Sequence, residues 1–141
     1  MYTVRDYGRM MSDEVRLDAY RRAIEATVRP GDVVLDLGAG TGICTLLALR
    51  AGASHVYAVE SNPCVKLVPQ VCKSNGYDAG RVTVVQELST SFSAPSPVDV
   101  IVSDLRGVSP LYTSHLASLA DARSRLLKPS GKLVPSRDTL Y

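Results

Sequence analysis

Short, almost continuously apolar runs alternate along the chain with longer stretches whose apolar positions recur at helical spacing. Val33-Val34-Leu35-Asp36-Leu37, His55-Val56-Tyr57-Ala58-Val59-Glu60, Val82-Thr83-Val84-Val85 and Val98-Asp99-Val100-Ile101-Val102 read as four strands, and Lys132-Leu133-Val134 as a fifth. Helices are predicted over 13–28, 43–51, from Asn62-Pro63 toward Gly76, and over 111–127. The first follows an irregular start, with Val15, Ala19, Tyr20, Ala23 and Ile24 on one face, Ser12 as its cap and Pro30-Gly31 at its end. Pro69 predicts a kink in the third or a shortening of its first part, Lys128-Pro129-Ser130-Gly131 a turn into the last strand, and the polar stretch 89–97 a surface connection. Strands this apolar are covered on both faces, and helices between them supply the cover. The expectation is an α/β fold: a Rossmann-like, doubly wound, five-stranded and mostly parallel sheet with flanking helices, in the order 3-2-1-4-5.

At 141 residues, 45% hydrophobic and 21% charged, the sequence fits one domain with a core of its own. A net charge of +2 calls for neither a nucleic acid nor a membrane as partner. No apolar run approaches the roughly 18 residues of a membrane span, and residues 1–6 lack a signal-peptide pattern. Cys44, Cys64 and Cys72 are odd in number and form no Cys-x-x-Cys, so reduced thiols are expected and no metal site. His55 and His115 have no partner at ligand spacing and read as structural or solvated. A cytoplasmic protein fits these features.

The chemistry concentrates after the first strand. Gly38-Ala39-Gly40-Thr41-Gly42 lies at the carboxyl end of that strand, where open α/β sheets bind their ligands. Glycines there let the backbone turn tightly and approach a ligand, and the next helix points its positive end at it. Glu60 closes the second strand about 20 residues on, where a carboxylate accepts both hydroxyls of a ribose. A dinucleotide would satisfy these features too. However, its G-x-G-x-x-G pattern needs a third glycine where Ile43 stands. Asp36, just ahead of the loop, would also repel a pyrophosphate, whereas an amino group or a sulfonium would sit well beside it. A tight strand-to-helix turn without any ligand is the remaining alternative.

The run Val34-Leu35-Asp36-Leu37-Gly38-Ala39-Gly40-Thr41-Gly42 resembles the signature loop of class I S-adenosylmethionine-dependent methyltransferases. Tyr7-x-x-Met10-x-x-Asp13-x-x-Arg16, Ala19-Tyr20, the segment 56–60, the segment 98–104 and the closing 133–141 extend the likeness to the protein arginine methyltransferases, over nearly the whole chain. The resemblance implies S-adenosyl-L-methionine as cofactor, held by Asp36, Gly38, Ala39, Gly40, Thr41, Gly42, Ile43, Glu60 and Ser61. It further implies that the first segment folds over the cofactor as a lid, with Arg16 pairing to its carboxylate and Tyr7 and Met10 lining the reaction centre. Glu87 and Leu88 would face the adenine.

The departures concern the acceptor. Arginine methyltransferases carry two glutamates after the fourth strand that hold the substrate guanidinium, a group whose pKa above about 12 keeps it charged. Here the corresponding positions are Asp104 and the uncharged Thr113, and Arg106 adds a cation between them. This pattern points to a small molecule, or a protein side chain other than ordinary arginine, as the methyl acceptor, oriented and deprotonated by Asp104 with help from Thr113. Two alternatives stay open: an arginine methyltransferase with a divergent acidic loop, and a non-catalytic cofactor-binding module. The family also has a β-barrel domain after this one. On that pattern residues 1–30 are the lid segment and helix, 31–135 the Rossmann-like core, and 136–141 the start of a C-terminal region beyond this sequence. The oligomeric state is left open.

Overall fold

The computed structural model describes residues 3–105 and 114–139. Every predicted apolar run forms a strand: β1 (Val33–Leu37), β2 (His55–Val59), β3 (Val82–Val85), β4 (Val98–Ser103) and β5 (Leu127–Val134). They make one parallel sheet in the order β3-β2-β1-β4-β5, as expected. Helices α1 (Val4–Met11), α2 (Glu14–Thr27), α3 (Ile43–Arg50), α4 (Val68–Ser74) and α5 (His115–Leu126) complete the chain.

Side chains along a strand point alternately to opposite faces, so each face collects its own core. Val34, Val56, Val100 and Val102 pack with Ile24 of α2, Ala48 of α3 and Val68 of α4 on one face. Leu35, Leu37, Val59 and Ile101 pack with Phe92 and with Ala122 and Leu126 of α5 on the other. Asp36 shares its parity with Val34 and therefore faces α3, where Thr45 meets it. The parallel sheet places the carboxyl ends of β1, β2 and β4 side by side, and the functional residues gather there.

Several details depart from the sequence reading. The irregular start is a helix, α1, opened by a reciprocal cap in which the Thr3 N–H donates to Asp6 Oδ2 (2.8 Å) and the Asp6 N–H to Thr3 Oγ1 (3.3 Å). Asp13, not Ser12, caps α2 by accepting from the Arg16 N–H at 3.1 Å. The buried face of α2 runs through Leu17, Tyr20, Ala23 and Ile24, while Val15 is 83% exposed and Ala19 exposed. The stripe that meets the sheet is thus set by Leu17 and Ile24, rotated from the predicted face.

Pro69 acts as expected. The segment after Asn62 is a tight 3-10 turn (Pro63–Leu67) followed by α4, with Pro69 in the first turn, where its missing N–H costs no helical bond. The Asn62 side chain accepts from the Cys64 N–H at 3.0 Å. The predicted turn at 128–131 lies inside β5, which follows α5 without a loop; its register slips between Val98 and Val100 of β4. An edge strand tolerates such an irregularity and the missing donor of Pro129. The expected helical start at 111–113 lies outside the described residues.

Candidate cofactor and methyl-transfer site

Beyond the carboxyl ends of β1, β2 and β4 lies a cavity of about 410 Å³, covered by α1 and the first turns of α2. Of the residues assigned to the cofactor, Tyr7, Met10, Arg16, Asp36, Gly38, Ala39, Gly40, Thr41, Ile43 and Glu60 line it. A smaller cavity of about 170 Å³ adjoins it and contains Ser61, Glu87 and Leu88. Gly38, Glu60 and Leu105 belong to both walls, so the two form one cleft with its junction at Glu60. Gly42 alone of the loop positions lines neither: it is the N-cap of α3, with φ +94°.

The loop is shaped by what stands over its glycines. A Cβ on Gly38 (φ +79°) would overlap the Leu105 side chain. One on Gly40 would lie 2.7 Å from Tyr7 Cε1, and one on Gly42 2.8 Å from Val68 Cγ2. The post-β4 segment, α1 and α4 thus each approach the loop at a position where no side chain intervenes.

Glu60 holds the loop to β2. Its carboxylate accepts from the Gly40 N–H (3.2 Å) and the Asn62 N–H (2.8 Å), and from the Ser61 hydroxyl (3.3 Å). Asp36 is only 2% exposed and accepts from Thr45 Oγ1 at 2.6 Å. Burial pushes its carboxyl up to about 6, and the nearby Glu60 charge pushes the same way; the Thr45 hydrogen bond opposes both. Such a carboxylate is short of a cation.

At the far side, Arg16 forms an ion pair with Asp104, and the Tyr20 hydroxyl donates to Asp104 Oδ1 (3.0 Å) and to the Ser103 carbonyl (3.1 Å). The sequence reading kept Arg16 and Asp104 in separate roles, and the fold brings them into contact. Tyr20 stands in the sequence on an apolar face and in the Ala19-Tyr20 motif, with no site role; its place four residues after Arg16, on the same side of α2, is the signal for one. Met11, Leu17, Cys44 and Leu105 also line the large cavity without having been singled out as site residues. Cys44 is buried, which raises its thiol well above the usual range and keeps it protonated. Thr113 and Arg106 lie outside the described residues. No cluster of metal-ligating side chains occurs among the described residues.

The donor set suits a ligand that is cationic at one point, carboxylated at another and apolar between. The large cavity offers mainly carbon surface, a buried carboxylate seeking a cation, and a guanidinium whose partner sits at the rim. The loop glycines leave space for close approach, and Glu60 stands where the two halves of the cleft meet. S-adenosyl-L-methionine has this distribution of groups, and the residues present fit it.

Comparison with known proteins agrees. A family profile described as ribosomal protein L11 methyltransferase (PrmA) matches residues 21–136. A probable protein arginine N-methyltransferase 6.1 from Oryza sativa subsp. indica is 41% identical over 134 residues, covering 94% of this chain and 35% of that protein. Arabidopsis thaliana protein arginine methyltransferase 10 superposes with a TM-score of 0.86 at 36% identity, over 94% of this chain and 38% of its own. The PRMT1 enzyme–prozyme heterotetramer of Trypanosoma brucei, solved with AdoHcy, gives 0.83 at 31% identity, over 90% of this chain and 40% of its own. The chain therefore spans less than half the length of these relatives. It belongs to the methyltransferase family that the matching profile describes, and over 94% of its length it is similar to the protein arginine N-methyltransferases.

Proposed function

We propose that this chain is the cofactor-binding and catalytic core of an S-adenosylmethionine-dependent methyltransferase. The observation that carries the reading is the single cleft on the strand ends that unites Arg16, Asp36, the glycine loop, Glu60 and Asp104. The cofactor supplies an activated methyl group, so the protein's task is alignment and exclusion of water.

Glu60 receives the ribose hydroxyls at the junction of the two cavities, beside Ser61. Asp36 faces the amino group and sulfonium through the loop formed by Gly38, Ala39, Gly40, Thr41 and Gly42, with Ile43 opening α3 beneath. Arg16 takes the carboxylate as a charge-assisted pair. Tyr7 and Met10 close the reaction centre from the lid, and Glu87 and Leu88 flank the base. Asp104 orients the acceptor and takes its proton, assisted by Thr113. Residues 1–30 act as lid and helix, 31–135 as the core, and 136–141 lead toward a further region. A cytoplasmic setting fits; among the described residues no helix is long and apolar enough to cross a membrane.

For the acceptor, a small molecule or a protein side chain other than ordinary arginine is the reading that Asp104 and Thr113 favour. Arginine is the second reading, and the relatives near 40% identity, named as arginine N-methyltransferases, favour it. Incubating an arginine-rich peptide with a longer version of the protein separates the two.

Calorimetric titration with S-adenosylmethionine and S-adenosylhomocysteine tests the cofactor. Both should bind, NAD should not, and Glu60→Ala should lose binding. A folded chain that binds neither adenosyl ligand would overturn the reading. Tight binding with no turnover on any acceptor would instead make it a non-catalytic cofactor module.

A further inference from the structure

We propose that Arg125 is a positioning residue for the cofactor cleft: from the last turn of α5 it holds the turn at 88–91 where Leu88 and Ser89, beside Glu87, wall the smaller cavity. This rests on the cofactor assignment above.

The link between β3 and β4, residues 86–97, contains no helix or strand. Phe92 fastens its middle: the ring is buried, packs in the core under α5 and meets the Tyr57 ring at 5.6 Å. Just before Phe92 the chain turns, with the Ser91 N–H donating to the Leu88 carbonyl at 2.9 Å. Here one side chain gathers three carbonyls. Arg125 Nη1 donates to the Phe92 carbonyl (2.9 Å), and Nη2 to those of Ser89 (3.2 Å) and Thr90 (3.4 Å). Ser89 is at once a point of attachment and part of the cavity wall.

The guanidinium is itself aimed. Asp121, one turn earlier on α5, accepts from Nε (2.8 Å) and Nη2 (2.7 Å), a bidentate pairing that fixes the plane of the fork. With that edge occupied, the remaining N–H groups face the loop carbonyls. A lysine has no such fork, because its ammonium is a point charge on a flexible stem. Arg125 does not line the cavity. Ser118, the last wall residue on α5, lies two turns earlier, roughly 10 Å along the helix axis, so Arg125 acts through the loop. A wall held in this way is ordered before a ligand arrives, and the ligand need not order the turn as it binds.

Arg125→Gln removes the charge and the fork at a partly exposed position, so the fold should survive. Calorimetric binding of S-adenosylhomocysteine should weaken about three- to tenfold, and adenosine should lose the same factor, because both carry the base that meets this wall. Arg125→Lys should not restore binding. Asp121→Asn, which keeps the guanidinium but frees its plane, should weaken both ligands about twofold. Amide exchange should quicken over 88–92 in each variant and stay unchanged over Val4–Met11. Full affinity for S-adenosylhomocysteine in Arg125→Gln, with faster exchange over 88–92, would overturn the proposal and leave the cofactor reading intact. So would a loss for S-adenosylhomocysteine that adenosine does not share. An unmutated chain that binds neither ligand would overturn both.

Discussion

Replacing Asp104 with asparagine removes the charge that holds Arg16 while keeping the side chain's size. Arg16 is paired with Asp104, so a carboxylated ligand must compete for the guanidinium. The two side chains are 32% and 19% exposed, which makes the pair half-screened by water. Pairs of that kind contribute about 1 kcal/mol at most, which converts to roughly fivefold in a binding constant. Asp104→Asn should therefore bind S-adenosylhomocysteine about fivefold more tightly at low salt, read by calorimetry. The gain should shrink in about 1 M salt, where charges screen each other within roughly 3 Å. The same substitution should slow methyl transfer, because the acceptor loses its orienting carboxylate and base. Weaker ligand binding in Asp104→Asn would refute the reasoning, since it would mean that Asp104 contacts the ligand's own cation and does not compete for Arg16.

The other predictions concern the loop and its neighbours. Asp36 has a raised carboxyl in the folded chain, so the folded state holds its proton more tightly than the unfolded one and stability falls as pH rises from about 4 to about 6. Asp36→Asn should thus raise ligand-free stability at pH 7 by roughly 2–3 kcal/mol in urea unfolding and remove that pH dependence, while weakening cofactor binding at least tenfold. Gly40→Ala should displace Tyr7 and loosen α1, seen as faster amide exchange over Val4–Met11, with a stability loss of about 1–2 kcal/mol. Tyr20→Phe should lower the rate of methyl transfer modestly and leave adenosine binding unchanged, because the Tyr20 hydroxyl donates to Asp104, away from Glu60.

The sequence made the sheet legible because a buried parallel strand admits few polar residues, and each apolar run had only one reading. Strand order came by analogy with other nucleotide-binding sheets, and the structure has that order. Helix faces were harder. Val15 and Leu17 are both apolar in the sequence, and only docking of α2 against α3 and β5 selects Leu17. Helix α1 was missed because it is only eight residues long and contains Gly8, although Val4, Tyr7 and Met11 recur at helical spacing. Within the site, the loop, Asp36 and Glu60 were legible from local spacing. Partners separated by many residues were not: Arg16 meets Asp104 only through the closure of the sheet.

The contacts over the glycine loop bear on how such a site would decay. Leu105, Tyr7 and Val68 each rest where a glycine leaves room, so a descendant that abandoned its ligand would still need those glycines to seat three separate parts of the fold. Asp36 is different: its burial costs the fold more than the hydrogen bond from Thr45 returns to the charge. In a lineage released from cofactor binding, drift would erase Asp36 early and spare the glycines. Among relatives of this chain, an intact glycine loop therefore marks shared architecture, and an aspartate at position 36 marks a cleft still in use.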